Sequence, residues 1–253
     1  MKDWVKCLRL KTVSLAVVLY FCGFSLIDWE GMSYLAPFFI LIAGSATMAF
    51  NDWVDRYHDL AKGKDLALSR PGAFKALVIG LWLVSAVLVI AIFAQSFEFG
   101  IISLILTGFG MMYFATRRTP MLPGLYVALV SGGPLFYSIA VKPTKYLLLL
   151  LFCVVLFIYA REVVKDLDDV EIDRGYKWTL PVVLGIGKSK VISLAIFTLA
   201  FFVATLIEPS VMYLLPFLAL IAYLLLIRKH HYLAKLAGDV LTAIALLVIV
   251  FTK

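Results

Sequence analysis

The chain has 253 residues, 63% of them hydrophobic and only 15% charged, with a net charge of +7 and a mean hydropathy of +1.01. An ordinary soluble domain is about half apolar and about a quarter charged, so this composition excludes a water-soluble globular fold. The positive balance does not point to nucleic acid: no soluble basic module is present, and the cations stand between apolar runs, where they orient a membrane protein.

Hydrocarbon about 30 Å thick needs roughly 20 apolar residues per helix, because lipid gives the backbone no hydrogen-bonding partner. In chain order, apolar runs near 12–29, 33–53, 73–95, 99–116, 121–141, 145–163, 188–207, 210–227 and 232–251 predict nine spans. The first follows Lys2, Lys6, Arg9 and Lys11 and reads as a retained span, since no small-residue cleavage site or soluble domain follows it. The fifth carries Gly132-Gly133-Pro134, which membrane helices tolerate where neighbours cover the freed backbone groups. The expected architecture is one all-α integral-membrane domain over 1–253, with about nine transmembrane helices around a central cavity. Cys7, Cys22 and Cys153 lack metal-ligand spacing and read as buried structural residues.

Assigning alternate connections to opposite sides gathers all the Lys and Arg residues on one side except Lys142, Lys145 and Lys253. The positive-inside rule then makes the amino terminus cytoplasmic and the carboxyl terminus external, as expected of a multi-pass protein of the plasma membrane.

More than half of the 16 acidic residues fall in two stretches that start at the cytoplasmic ends of the second and sixth runs. One reads Asn51-Asp52-Trp53-Val54-Asp55-Arg56-Tyr57-His58-Asp59; the other runs from Arg161-Glu162 through Lys165-Asp166-Leu167-Asp168-Asp169 to Asp173. Both contain Asp, a second Asp three residues on, and a third four further. At about 100° per residue this spacing places Asp52, Asp55 and Asp59 on one stripe if the helix continues, and Asp166, Asp169 and Asp173 on another. Aspartate is costly in hydrocarbon and must reach water, a cation or the interface. Carboxylate oxygens suit Mg²⁺, which typically binds through one or two carboxylates plus substrate phosphates. Two such stripes read as ligands for Mg²⁺–diphosphate. The plainer alternative is solvated helix ends carrying ion pairs such as Asp55–Arg56 or Asp166–Lys165; two copies of one spacing on one side favour metal binding.

These residues resemble the UbiA superfamily of intramembrane prenyltransferases, whose hallmark is Asn-Asp-x-x-Asp-x-x-x-Asp together with a second aspartate-rich motif. Asn51 to Asp59 matches the first and Asp166 to Asp173 the second. Arg161 to Glu171, followed by Thr179-Leu180-Pro181-Val182, is most similar to the archaeal digeranylgeranylglyceryl phosphate synthases. The chain differs from them at Ile172, where glycine is common, and in a reduced Arg-Pro segment at Leu68-Ser69-Arg70-Pro71-Gly72. The resemblance implies transfer of a geranylgeranyl group from its diphosphate to the hydroxyl of geranylgeranylglyceryl phosphate, forming an ether bond of archaeal lipid. It implies that Asp52, Asp55, Asp59, Asp166, Asp169 and Asp173 hold Mg²⁺ as the catalytic set. The partners would be the prenyl diphosphate, a membrane-associated acceptor and the bilayer.

Cations are expected to meet the diphosphate oxygens that the metals leave exposed. The candidates are Lys62, Lys64, Arg70, Arg117, Arg118, Arg161, Lys165 and Lys177, with Asn51 adding an oxygen; Arg70, Arg117, Arg161, Lys165 and Asn51 are the substrate-binding set, Arg117 and Lys165 foremost. His230 and His231 read as surface residues of a basic loop, and Asp239 is expected to pair with Lys235 one turn before it. Transfer to an aromatic ring or a tetrapyrrole would use the same motifs, and a cation-coupled transporter would use acidic helix ends differently, with ionisable groups near the midplane.

Overall fold

The computed structural model describes Trp4, residues 7–63 and residues 65–252. Lys2, Lys6, Lys64 and Lys253, named above, lie outside the described residues. Those described form helices and turns, with no strand among them. The longer helices are α1 (Leu10–Ser25), α2 (Ala36–Val54), α3 (Pro71–Gln95), α4 (Phe97–Met112), α5 (Leu122–Ser131), α6 (Leu135–Val141), α7 (Lys145–Asp166), α8 (Ile186–Ile207), α9 (Leu215–Ala222) and α10 (His231–Thr252).

Each of the nine apolar runs holds helix, but a count of nine spans does not follow. Six helical stretches are long and apolar enough to cross a bilayer: Pro71–Gln95, Phe97–Thr116, Lys145–Asp166, Ile186–Ile207, Pro209–Ile227 and His231–Thr252. The pair α5 and α6, bent by 52° at their junction, brings the number to as many as seven. The remaining two fall short for different reasons: α1 has 16 residues, and the 19-residue α2 ends in the polar Asn51-Asp52.

By contacts the chain divides into two compact units, Met1–Tyr20 with Gly31–Ala115, and Phe21–Glu30 with Thr116–Lys253. In the first, α2 packs against α3 and α4. Its buried face, Ala36, Phe39, Ile40, Ala43, Ala46 and Ala49, follows helical spacing and is mostly small. Helices in lipid associate by such close packing rather than by expelling water. Gly44 lets α2 approach Val13 of α1, and Gly110 of α4 lies against Thr47. A polar knot sets where α2 begins: the Tyr20 hydroxyl donates to the Ser33 carbonyl at 2.7 Å and accepts from the Ser33 amide at 3.0 Å, while Ser33 Oγ donates to Gln95 at 3.0 Å. At the other end, Trp4 and Trp53 stack on Phe74 at 6.1 and 6.2 Å, over a cluster that includes Cys7, Ala49 and Val78. This packing anchors the stretch where the first aspartate motif starts.

In the second unit α5, α6, α8 and α10 pack on α7. The Thr144 side chain caps α7 by accepting from the Leu147 amide at 3.2 Å. The helix then buries Leu147, Leu150, Cys153, Val154, Phe157, Ala160, Val163 and Val164. Phe157 meets Phe197 of α8 at 6.1 Å between ring centroids, and Ser193 Oγ donates to the Ala160 carbonyl at 3.4 Å. Gly238 lets α10 close on Phe197. Pro134 has no amide to continue a helical ladder, so the chain turns at Gly132-Gly133-Pro134 between α5 and α6. The result positions the last turns of α7, where the second motif begins. All three cysteines are buried and unbridged, as expected.

Candidate metal and diphosphate site

The second motif does not remain one helix. α7 stops at Asp166, a turn carries Leu167–Asp169, and a single helical turn spans Val170–Asp173. The three carboxylates converge all the same: one ligand oxygen each from Asp166, Asp169 and Asp173 fits within 4.8 Å of the others, the one such group of three among the described residues. Asp166 is 8% exposed and Asp173 only 1%. Glu162 and Asp173 are both charged neighbours of Asp166, with Lys165 and Lys177 of opposite sign also acting on it. Acids packed this closely and this far from water repel one another unless a cation enters or a proton is taken up. Hard oxygen donors in that arrangement fit Mg²⁺.

Ion pairs behind this cluster brace it. Arg161 bridges Glu162 on its own helix and Asp239 of α10, the latter at 2.6 Å. Lys165 Nζ reaches Glu162 at 2.5 Å, one turn back. Asp239 thus takes Arg161 as its ion-pair partner rather than Lys235, because the helix packing offers a guanidinium from α7. His231, read from sequence as a surface residue, has a side chain only 13% exposed, and its Nδ1 lies 2.6 Å from Asp168. No local sequence signal joins Asp239 or His231 to this network, since their partners come from another element, whereas Glu162 and Lys165 have the i,i+3 spacing of helical neighbours.

The loop after Asp173 is tied back as well. The amides of Tyr176 and Lys177 both donate to the Asp173 carbonyl at 2.9 Å, with Gly175 at φ +83° making the turn. The Trp178 amide then donates to the Arg117 carbonyl at 2.9 Å, and the Met121 amide to the Trp178 carbonyl at 2.8 Å. Arg117, buried, donates from Nη1 to the Tyr176 hydroxyl at 3.0 Å and lies over the Tyr176 ring. Arg117 is therefore joined to the second motif through Tyr176. Thr179 stands, buried, at the N-cap position of the following helical turn without a side-chain cap bond, and its Oγ1 has no hydrogen-bond partner among the described residues.

The first motif also breaks its helix, and unlike the second its three aspartates, expected from sequence to form an equivalent stripe, do not bring their oxygens into such a group. α2 ends at Val54, and Asp59 opens a 3₁₀ turn, Asp59–Lys62. The ladder carries across the junction, the Asp55 amide donating to Asn51 and the Asp59 amide to Asp55, each at 2.8 Å. Asp55 and Asp59 are buried, and Asn51 Oδ1 is buried with no hydrogen-bond partner among the described residues. Asp52 meets Arg9 at 2.7 Å, an arginine that sequence reasoning counted only among the cations setting topology. Arg56 turns to the Trp53 carbonyl at 2.8 Å and to the Trp53 and Tyr57 rings. Lys62 lies on the 3₁₀ turn. Arg70 and Arg118 are exposed.

Comparison with known proteins agrees with this picture. The model of the UbiA prenyltransferase family matches residues 12–250. A protein of Thermococcus sibiricus (strain DSM 12597 / MM 739), digeranylgeranylglyceryl phosphate synthase, is 34% identical over 165 residues, or 62% of this chain and 57% of that relative. The match therefore spans less than two thirds of the relative's length. Two solved structures share the fold. One, described as giving structural and mechanistic insights into digeranylgeranylglyceryl phosphate synthase in membranes, has a TM-score of 0.67 at 20% identity, covering 99% of this chain and 97% of its own. The other, an apo UbiA homolog from Aeropyrum pernix K1, has a TM-score of 0.67 at 17% identity, covering 94% and 98%. The family match, spanning both aspartate motifs, decides for an enzyme over a transporter: this multi-pass membrane chain belongs to the UbiA prenyltransferase family.

Proposed function

We propose that this protein transfers a geranylgeranyl group from its diphosphate to the free hydroxyl of geranylgeranylglyceryl phosphate, making an ether bond of archaeal membrane lipid. The observation that carries the reading is the convergence of Asp166, Asp169 and Asp173 within 4.8 Å, in a family of prenyltransferases. The 34% identity to the Thermococcus sibiricus synthase supports this acceptor over an aromatic ring.

In this reading Asp166, Asp169 and Asp173 hold one Mg²⁺. Asp52, Asp55 and Asp59 hold a second, with Asn51 Oδ1 as a further oxygen. Bound Mg²⁺ supplies positive charge to the diphosphate oxygens on which negative charge accumulates as the C1–O bond breaks. Arg117 offers a planar, forked set of donors to the diphosphate, oriented by its contacts with Tyr176. Lys165, about 40% exposed and beside Asp166, offers a point charge, and Arg70 a further cation from its exposed turn. Arg161 shapes the site through Glu162 and Asp239. The positive-inside distribution of Lys and Arg supports a cytoplasmic amino terminus in the plasma membrane, with both motifs on the cytoplasmic side.

The test is turnover of radiolabelled geranylgeranyl diphosphate by purified protein with Mg²⁺, offering geranylgeranylglyceryl phosphate and 4-hydroxybenzoate separately, with Asp52→Ala and Asp166→Ala as controls. Transfer to the glyceryl phosphate, lost in both variants, is expected. Transfer to the benzoate alone would overturn the acceptor, and turnover that survives chelation of divalent metal would overturn the metal roles.

A further inference from the structure

The turn that carries the second motif starts on two long backbone bonds. Where α7 gives out, the Leu167 amide donates to Val164 at 3.3 Å and the Asp168 amide to Lys165 at 3.4 Å, both long for amide–carbonyl bonds. Asp168 stands between two proposed ligands, Asp166 and Asp169, yet is not one of the converging three. Its carboxylate turns instead to His231, the first residue of α10, with Oδ1 2.6 Å from Nδ1. Wherever that carboxylate is ionised it only accepts, and Nδ1–H is then the donor. The ring is nearly enclosed, its Nε2 buried.

A second tie joins the same two elements. Arg161 Nε lies 2.6 Å from Asp239 Oδ1. From Arg161 to Asp168 is seven residues forward, and from Asp239 to His231 eight residues back. At 1.5 Å per residue the eight are about 12 Å of α10, and α7 supplies about 8 Å from Arg161 to its end at Asp166, with Asp168 two residues into the turn beyond. The pairs therefore match as successive contacts of antiparallel neighbours, and α10 clasps the end of α7 at two points.

We propose that His231 is a positioning residue of the metal site: through its Nδ1 hydrogen bond to Asp168, α10 fixes the turn between Asp166 and Asp169 and so sets the affinity of the second motif for its divalent cation. The proposal rests on the reading of Asp166, Asp169 and Asp173 as metal ligands. Groups that orient ligands without touching the metal commonly change affinity by roughly 10- to 100-fold when removed, and the Asp168–His231 pair is placed to act in that way.

The test is binding of Mn²⁺, a paramagnetic substitute for Mg²⁺, to the purified full chain in detergent, followed by electron paramagnetic resonance of the free ion, with thermal unfolding measured alongside. Asp166→Ala identifies the ion bound by the second motif as the one it loses. His231→Asn keeps an amide nitrogen where Nδ1 stands; His231→Gln places it where Nε2 stands. His231→Gln and His231→Ala are expected to weaken that ion roughly 10-fold, and His231→Asn to bind it as the wild type does. Asp168→Asn, which keeps an acceptor oxygen, is likewise expected to retain it. Adding Asp168→Ala to His231→Ala is expected to weaken binding no further. If His231→Gln and His231→Ala bind Mn²⁺ like the wild type while Asp166→Ala does not, or if His231→Asn is as weak as His231→Gln, the positioning role is overturned and the metal reading stands. If Asp166→Ala binds Mn²⁺ unchanged, both fall.

Discussion

Arg161 Nε lies 2.6 Å from Asp239 Oδ1, so a guanidinium near the end of α7 is neutralised by an acid two turns into the last helix. Both side chains are less than a fifth exposed, and Glu162 takes the other edge of the same guanidinium. Removing one partner of a partly buried ion pair leaves a charge with less compensation, at a cost of about 1–3 kcal/mol. Asp239→Ala is accordingly expected to lower the thermal unfolding temperature in detergent, and Asp239→Asn, which keeps an acceptor oxygen, to lower it less. Lys235→Ala should leave it nearly unchanged; an equal drop for Lys235→Ala would show that Asp239 depends on its own helix instead.

The contact between Arg117 and Tyr176 makes a kinetic prediction. Losing a hydrogen bond to a charged group costs about 1.5–3 kcal/mol, so if Arg117 meets the diphosphate, Arg117→Ala should raise KM for the prenyl diphosphate roughly 10-fold or more. Tyr176→Phe removes the 3.0 Å hydrogen bond but keeps the ring beneath the guanidinium, and should raise it by less than about threefold. Steady-state kinetics with the acceptor saturating would check both, and an unchanged KM in Arg117→Ala would remove Arg117 from the substrate-binding set.

Gly100 is required by packing rather than by conformation. A methyl group added there would crowd Cγ, Cδ1 and Cδ2 of Phe93 closer than side chains can pack, and that ring makes an edge contact with Phe97 at 5.9 Å. Overpacking of this kind costs about 1–3 kcal/mol. Gly100→Ala should lower thermal stability, and Gly100→Ala with Phe93→Leu should recover part of the loss. Gly72 and Gly80, with open space where a Cβ would go, should tolerate alanine.

Cys7 reports on the first motif. Burial, and after it the Asp52 carboxylate, push its thiol above the ordinary cysteine value. Because the thiolate is the reactive form, a raised value means less thiolate at any given pH, and alkylation of the native protein shifts to higher pH. Asp52→Asn removes the second cause and leaves the first, so the pH profile of Cys7 alkylation should move back toward lower pH without reaching that of a free thiol. With Cys22 and Cys153 replaced by alanine, coincident profiles for the Asp52→Asn variant and its parent would contradict the proximity of the two groups.

The all-helical membrane class and the extent of the apolar runs were legible from hydrophobicity, because lipid forces every spanning backbone into self-satisfying helix. The spacing pointed to Asp166, Asp169 and Asp173 as a group, but the same spacing in Asp52, Asp55 and Asp59 gives no such convergence; it is the turn and the short helix after Asp166 that keep the second three carboxylates together. The number of spans was not legible in the same way. A run that reads as apolar is divided by Gly132-Gly133-Pro134 into two helices bent by 52°, and α1 and α2 stop short of the length or apolarity that a span requires.

What the sequence by itself determined is what depends on near neighbours along the chain: which stretches are helical and which carry acid. Tertiary structure decided the partners of the charges. Arg9 goes to Asp52, Arg161 to Asp239 and His231 to Asp168, pairs separated by 43, 78 and 63 residues. Helical periodicity says which face a side chain occupies, but only the packing of small residues such as Ala160 and Gly238 brings another helix close enough to offer a charge of opposite sign.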